Sequence, residues 1–173
     1  MRILKPFPLL LALALCLSAC AGKDPGQEDQ SAFTWKMEIL QTVWSDGLFT
    51  VKQSTQYDGS TIKTGYEHSP GEGQAFLLLE LRVYKDQAGG PAFSWDEVAL
   101  EDGNGQAYPR MSDGFLTEFD YDRLPGTNLR LKENRGWICF QVPVTPQEQA
   151  WTLTHSTDEG KNAVKLPAEE NGT

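Results

Sequence analysis

The sequence predicts an all-β protein built as one antiparallel β-sandwich, and three observations carry that expectation. Turn signals punctuate the chain closely, at Asp46-Gly47, Asp58-Gly59, Asp102-Gly103, Asn104-Gly105 and Asp113-Gly114. Ser69-Pro70-Gly71, Gly89-Gly90-Pro91, Pro125-Gly126 and Glu159-Gly160 fill most of the gaps. Asp-Gly and Asn-Gly accept the positive φ angles of tight hairpins, and short strands broken by turns at this spacing build sandwiches or barrels. Between the turns, apolar residues recur with the period of a strand rather than of a helix. No segment keeps an amphipathic helical period for several turns. The best stretch, Met111 to Phe119, contains Gly114 among polar neighbours and predicts a loop or a single turn.

In chain order, Phe33, Trp35, Met37 and Ile39 fall on one face of a first strand, opposite Thr34, Lys36 and Glu38. Leu77, Leu79, Leu81 and Val83 line one face of the clearest strand, and Glu80, Arg82 and Tyr84 point the other way. Phe93 and Trp95 differ in parity from Val98 and Leu100, so a β-bulge near Asp96 is expected to restore the register. Ile138, Phe140 and Val142 alternate with Trp137, Cys139 and Gln141. Trp151 and Leu153 begin a later strand, and Val164 and Leu166 close the domain. Two sheets stacked face to face bury all these apolar faces in one core. The folded unit so defined spans residues 33–167, the usual size of one domain. Residues 168–173 are expected to form a disordered tail.

The first twenty residues follow different rules. Arg2 and Lys5 form a basic end, an apolar run extends from Leu9 to Leu17, and Ser18, Ala19 and Cys20 follow. That is the layout of a secretory signal, and the run is shorter than the roughly 20 residues a spanning helix needs. Leu17-Ser18-Ala19-Cys20 resembles the lipobox of bacterial lipoproteins. The resemblance implies a signal peptide over residues 1–19, diacylglycerol transfer to the Cys20 sulfur, and cleavage between Ala19 and Cys20. A thiolate is a good nucleophile for such a transfer, and small neighbours let a peptidase reach the bond. Each buried CH₂ contributes about 0.8 kcal/mol, so two or three acyl chains hold a soluble domain firmly where one would not. The stretch after Cys20, up to residue 32, carries Gly, Asp, Glu and Gln and no large apolar side chain. It predicts a flexible acidic tether, able to hold the domain up to about 35 Å from a bilayer. The expected location is therefore the outer face of a membrane, with the protein held by its lipid.

Charge and cysteine count narrow the partners. The chain carries 15 Lys and Arg against 24 Asp and Glu, a net of -9. Loss of residues 1–19 removes Arg2 and Lys5 and leaves 13 against 24, or -11. A surface this acidic argues against nucleic acid, which demands a basic one. With Cys16 in the signal and Cys20 lipidated, only Cys139 of the three cysteines remains, so no internal disulfide and no multi-cysteine metal site is expected. Cys139 itself predicts a buried sheet residue.

Three strand-and-turn pieces carry a family resemblance. They are Gly73-Gln-Ala-Phe76-Leu-Leu-Leu79-Glu-Leu81-Arg-Val83, Val98-Ala-Leu100-Glu-Asp102-Gly-Asn-Gly105-Gln-Ala-Tyr108, and Gly136-Trp-Ile138-Cys-Phe140-Gln-Val142-Pro143. In this order they resemble the telokin-like, immunoglobulin-fold domains of unknown function common in bacterial lipoproteins, which are related to immunoprotective extracellular antigens. The resemblance covers about Met37 to Leu166. It implies an immunoglobulin-like sandwich outside the cytoplasm and carries over no catalytic residue, because the shared positions are core and turn positions. The disulfide and buried Trp pairing of antibody domains is missing, and a fold does not fix a function.

His68 lies in a turn-rich stretch, and His155 stands beside Ser156 and Asp158 at a strand end; neither has the spacing of a metal site or triad. No catalytic, cofactor or metal residue is therefore expected, and the chain is not expected to be an enzyme. Asp113, Glu118, Asp120 and Asp122 cluster in an acidic loop that could attract calcium, but the full ligand pattern is absent and Arg123 offsets one carboxylate. Glu101, Asp102 and Asn104 predict a hairpin turn rather than a ligand loop. Trp137 and Tyr84 fall on outward faces and could form an aromatic platform for a protein or glycan. The favoured expectation is instead that the loop from Asp113 to Pro125, or a strand from the amino-terminal region, covers Trp137, because buried Trp is common. The leading functional expectation is a non-catalytic, membrane-anchored module that binds a protein or glycan. An accessory subunit of a cell-envelope assembly is the alternative, and an unrecognised hydrolase is a third.

Overall fold

The computed structural model describes residues 32–112, 114–124, 133–144 and 150–167. Residues 1–19 with Ala19, Cys20 and nearly all of the tether, Asp113, the Pro125-Gly126 turn and the tail at 168–173 lie outside the described residues. Nine strands form among the described residues: β1 (Lys36–Ser45), β2 (Leu48–Thr55), β3 (Thr61–His68), β4 (Gln74–Tyr84), β5 (Val98–Glu101), β6 (Ala107–Pro109), β7 (Glu133–Pro143), β8 (Thr152–Thr157) and β9 (Gly160–Lys165). All their pairings are antiparallel. One sheet has the order β1-β4-β7, a second β6-β5-β8-β9, and β2 pairs with β3 in a separate two-stranded ribbon. The expected all-β, immunoglobulin-like sandwich is therefore present, with sheets of three and four strands facing each other across one core.

The core follows the alternation read from the sequence. Leu77, Leu79, Leu81 and Val83 of β4 and Ile138, Phe140 and Val142 of β7 are buried against Val98, Leu100, Leu153 and Val164 of the opposite sheet. Trp35 and Met37 close the same core from the entry side. Burial of side chains this large contributes about 1.5–3 kcal/mol each, which makes this layer the main source of stability.

Two irregularities adjust the register, and neither is a β-bulge at Asp96. In β1 the pairing shifts between Ile39 and Gln41, leaving Leu40 as the extra residue. The inward parity thus changes from Met37 and Ile39 to Thr42 and Trp44, which pair with Leu79 and Leu77. Near Trp95 the expected bulge is replaced by a 3-10 turn, Trp95–Glu97, in which the Asp96 N–H donates to the Ser94 hydroxyl at 3.3 Å and the Glu97 N–H to the Ser94 carbonyl at 3.3 Å. A tight turn changes side-chain phase as effectively as a bulge, and it sinks Phe93 and Trp95 before Val98 starts β5.

A second, smaller apolar layer lies on the far side of the β1-β4-β7 sheet. Phe76, Leu78 and Cys139 face outward from the sandwich, yet Leu48, Leu116 and their neighbours Phe115, Phe119 and Tyr121 cover them. The cover is the segment after β6, including a 3-10 helix, Gly114–Phe119, where a loop or one turn was expected. Met111 enters it by donating its N–H to the Cys139 carbonyl at 2.9 Å. The segment then wraps around β7: Trp137 N–H donates to Asp122 at 2.8 Å, and Leu124 N–H donates to Trp137 at 3.1 Å. Leu124 ends in the main core.

Candidate functional site

The acidic segment is divided among separate partners. Glu118 lies 3.6 Å from His68, and Asp120 pairs with Lys52 at 2.9 Å. Lys52 also donates to the Thr117 carbonyl at 2.8 Å, so this lysine fastens the ribbon to the 3-10 helix. Asp120 ends that helix in a left-handed conformation with φ 62°. The Asp122 carbonyl is taken by Trp137. Among the described residues no three His, Cys, Asp or Glu side chains gather as a metal site would require.

Glu101, Asp102 and Asn104 do form the expected hairpin turn. Asp102 Oδ1 accepts from the backbone N–H groups of Asn104 and Gln106 at 2.8 and 2.9 Å, and Gly105 takes φ 80°. Glu101 accepts from Lys161 at 2.7 Å.

The two histidines are far apart in role. His68, at the end of β3, stacks on Phe115 with ring centroids 4.9 Å apart and meets Phe119 edge-on at 5.7 Å. His155 is buried in β8, 4.6 Å from the Phe93 ring, with Nε2 at 3.2 Å from Glu97. Its Nδ1 has no hydrogen-bond partner among the described residues. Burial lowers its pKa, while the hydrogen bond and charge of Glu97 and the charge of Glu159 oppose that shift. Ser156, beside it, is exposed, so the residues adjacent in sequence do not converge on one reacting centre.

Cys139 is buried in the smaller layer, as expected, and burial pushes its thiol up to about 12. A thiol so held is protonated near neutrality and is no nucleophile.

Of the two readings of Trp137, the structure shows the covered one. Trp137 is half-buried and packs edge-on against Tyr121, centroids 5.0 Å apart, so the wrapping segment supplies the cover. Trp137 pairs with Glu80, whereas Tyr84 pairs with Glu133. Four residues of extended strand separate the two rings, roughly 13 Å along β4. Arg82 and Arg135 fill that interval and are paired across the strands. Arg82 bonds Glu38 at 3.1 Å and Glu133 at 3.0 Å, and Arg135 bonds Glu80 at 2.8 Å. The Arg82 guanidinium also lies 4.6 Å from the Tyr84 ring centroid. Hydrogen bonds to Glu38 and Glu133 raise the Arg82 pKa, and the hydrogen bond to Glu80 raises that of Arg135. This part of the outer face is an ionic ladder bordered by aromatics.

A cleft of about 270 Å³ opens where the chain enters the domain, lined by Phe33, Thr34, Lys36, Asp86 and the Gly89-Gly90 turn. Lys36 and Asp86 pair with each other at its rim. Thr34 donates both its N–H and its hydroxyl to Glu159, which holds that carboxyl below its usual range. The entry segment is thereby tied to the turn between β8 and β9.

The β2–β3 ribbon is the feature that the sequence reading did not identify. Its eight-residue strands pair from Leu48–His68 to Thr55–Thr61, and Asp58 Oδ1 caps the turn by accepting from the Ser60 N–H at 2.9 Å. The available signal was the Asp46-Gly47 and Asp58-Gly59 pair of turns. The strands between them lack clean alternation because most of their residues are exposed on both faces.

No helix among the described residues is long and apolar enough to cross a membrane. No family model matches the sequence, and no curated protein matches it. Among solved structures, the chain is similar to a "putative lipoprotein (ycdA)" of Bacillus subtilis subsp. subtilis str. 168, with 12% identity and a TM-score of 0.49. That match covers 80% of this chain but 38% of the other, so the chain spans well under half of that protein's length. It is also similar to an uncharacterized beta-sandwich protein of Clostridium difficile 630, at 11% identity and a TM-score of 0.41, covering 78% of this chain and 86% of the other.

Proposed function

We propose that this is a lipid-anchored extracytoplasmic protein whose sandwich serves as a non-catalytic interaction domain for a protein or glycan. The observation that carries the reading is Leu17-Ser18-Ala19-Cys20 directly after an apolar run too short to span. The resemblance to telokin-like domains of bacterial lipoproteins agrees with it. Its chemistry supports recognition: the reactive side chains are engaged in packing or ion pairs, with His155 against Phe93, His68 against Phe115, and Cys139 buried. What the surface offers a partner is the ionic ladder around Arg82 and Arg135 and the exposed apolar groups of the ribbon.

Crosslinking on intact cells producing the full chain tests the reading. Recovery of one recurrent partner, protein or glycan, that disappears when Arg82 and Arg135 are both changed to Glu or when the ribbon is shortened supports an interaction domain. A stoichiometric envelope complex that survives both changes favours the accessory-subunit alternative. Turnover of a substrate by the purified chain contradicts the non-catalytic reading.

A further inference from the structure

Among the described residues the β2–β3 ribbon has an unpaired long edge, and its sequence is complementary to itself. Of the large apolar side chains exposed among the described residues, Phe49, Val51, Tyr57 and Ile62 all belong to this ribbon or its turn, with Phe49 70%, Val51 51% and Ile62 48% exposed. β3 has no strand neighbour besides β2 among the described residues, and only Tyr66 along it is half-buried. A two-stranded ribbon is marginally stable by itself, and an exposed strand edge is a template for pairing with another chain.

The register shows which groups face that edge. Gln56 N–H donates to the Ser60 carbonyl at 2.7 Å, and bonded and non-bonded pairs alternate along an antiparallel ladder. With Thr55 opposite Thr61 and Val51 opposite Gly65, the backbone groups of Thr61, Lys63, Gly65 and Glu67 point away from β2. Gly65 lies between Lys63 and Glu67 in this free set. Nothing among the described residues requires glycine there: its φ is not in the left-handed region, and a Cβ would meet none of their atoms within 4 Å. With no bulge in the β2–β3 register, close approach by another backbone is one role such a strand glycine serves.

We infer that the partner at this edge is a second copy of the chain, with β3 pairing antiparallel to β3 of the other copy about Gly65. In that register Gly65 faces its own counterpart, and Lys63 faces Glu67 of the second copy on both sides of the two-fold axis. Each ion pair therefore occurs twice, and the free backbone groups of Lys63, Gly65 and Glu67 find partners together. Tyr66 faces Thr64 of the second copy on the opposite surface. The two ribbons become one four-stranded sheet that carries Phe49 and Val51 of both copies on one face. A single strand pair of this length is a small contact beside the roughly 1,200–2,000 Å² of a stable interface, which makes the pairing weak and reversible. It goes beyond the anchoring and interaction reading above and does not depend on it.

Gly65→Cys in the full-length chain traps the pair. A bonded antiparallel pair holds the two Cα atoms and the two Cβ atoms each about 5.5 Å apart, too far for a relaxed disulfide and within reach of a short thiol-to-thiol crosslinker. Treatment with such a crosslinker is expected to give a linked species of twice the mass, absent from the parent chain carrying only its own cysteines. Lys63→Glu in that background is expected to lower the linked fraction at least fivefold, and adding Glu67→Lys to restore it. No linked species from Gly65→Cys, linkage from Val51→Cys in its place, or linkage indifferent to Lys63→Glu would overturn the inference. Circular dichroism of each variant confirms that the sheet is intact, because position 65 has room for a side chain.

Discussion

The backbone nitrogen of Leu124 occupies the space beside Gly136 where a side chain would otherwise lie: a Cβ on residue 136 would come within 2.6 Å of it. Asp122 O and Arg123 C would stand at 2.7 and 2.8 Å from the same Cβ. The crossing carries the wrapping segment from the smaller apolar layer to the main core. Its two backbone hydrogen bonds to Trp137 depend on that approach.

Gly136→Ala is therefore expected to destabilise the fold by about 1–3 kcal/mol, because backbone must shift to admit the methyl group. Gly65→Ala is the matched control and should remain within about 1 kcal/mol of the parent. Urea denaturation midpoints of the two variants compare them directly. Equal midpoints would show that the wrapping segment does not press on β7.

Trp137→Ala should weaken the fold by about 2–3 kcal/mol, less than the loss of a fully buried ring. The missing ring removes the edge-on contact to Tyr121 and opens the smaller layer. Thermal melting measures the loss, and an unchanged melting temperature with weakened partner capture would return Trp137 to the role of a binding platform.

His155 makes stability depend on pH in a defined direction. Burial lowers its folded pKa, so below about pH 6.5 the unfolded chain binds the proton more readily than the folded one. Stability contributed by neutral His155 is complete above that value and declines as pH falls toward the folded pKa. Glu159, held low by Thr34, loses its contribution in a separate window below about pH 4.5. His155→Gln should flatten the upper window and shift the lower one only slightly, because the Thr34 hydrogen bonds rather than the charge of His155 are the main cause of the low Glu159 pKa. Unfolding free energies followed from pH 7.5 to about pH 2.5 read both, and an unaltered upper slope in the variant would assign it elsewhere.

Cys139 should resist alkylation at pH 8 in the folded protein and react once denaturant opens the smaller layer, since burial pushes its thiol up to about 12. Site-resolved mass spectrometry after iodoacetamide treatment distinguishes it from Cys16 and Cys20. Rapid native labelling would mean that the cover formed by Leu116 and Phe119 opens readily.

The strands that build the main core were legible because one face of each is apolar and the other polar: Leu77, Leu79, Leu81 and Val83 against Glu80, Arg82 and Tyr84. The same rule hid the smaller layer. Phe76 and Leu78 fall on the polar parity of β4, and the run from Phe76 to Leu79 is the sign of a strand buried on both faces at one end. The parity change around Trp95 was visible, but a 3-10 turn and a bulge leave the same trace in sequence. The shift at Leu40 left none, because Leu40 and Gln41 are both exposed and Thr42 faces inward as a polar residue. Trp137 was legible as an outward residue, while its cover depends on a long-range crossing permitted by Gly136. The ionic ladder likewise required the β4–β7 register, which places Arg82 opposite Arg135.

Anchoring through Cys20 is the claim on which the location and role of the domain rest, and metabolic labelling with palmitate tests it most directly. The full-length chain should take up label and partition into the membrane fraction, whereas Cys20→Ser should take up none and lose its hold on the membrane. Absence of label in the parent chain, or equal label in Cys20→Ser, would contradict it.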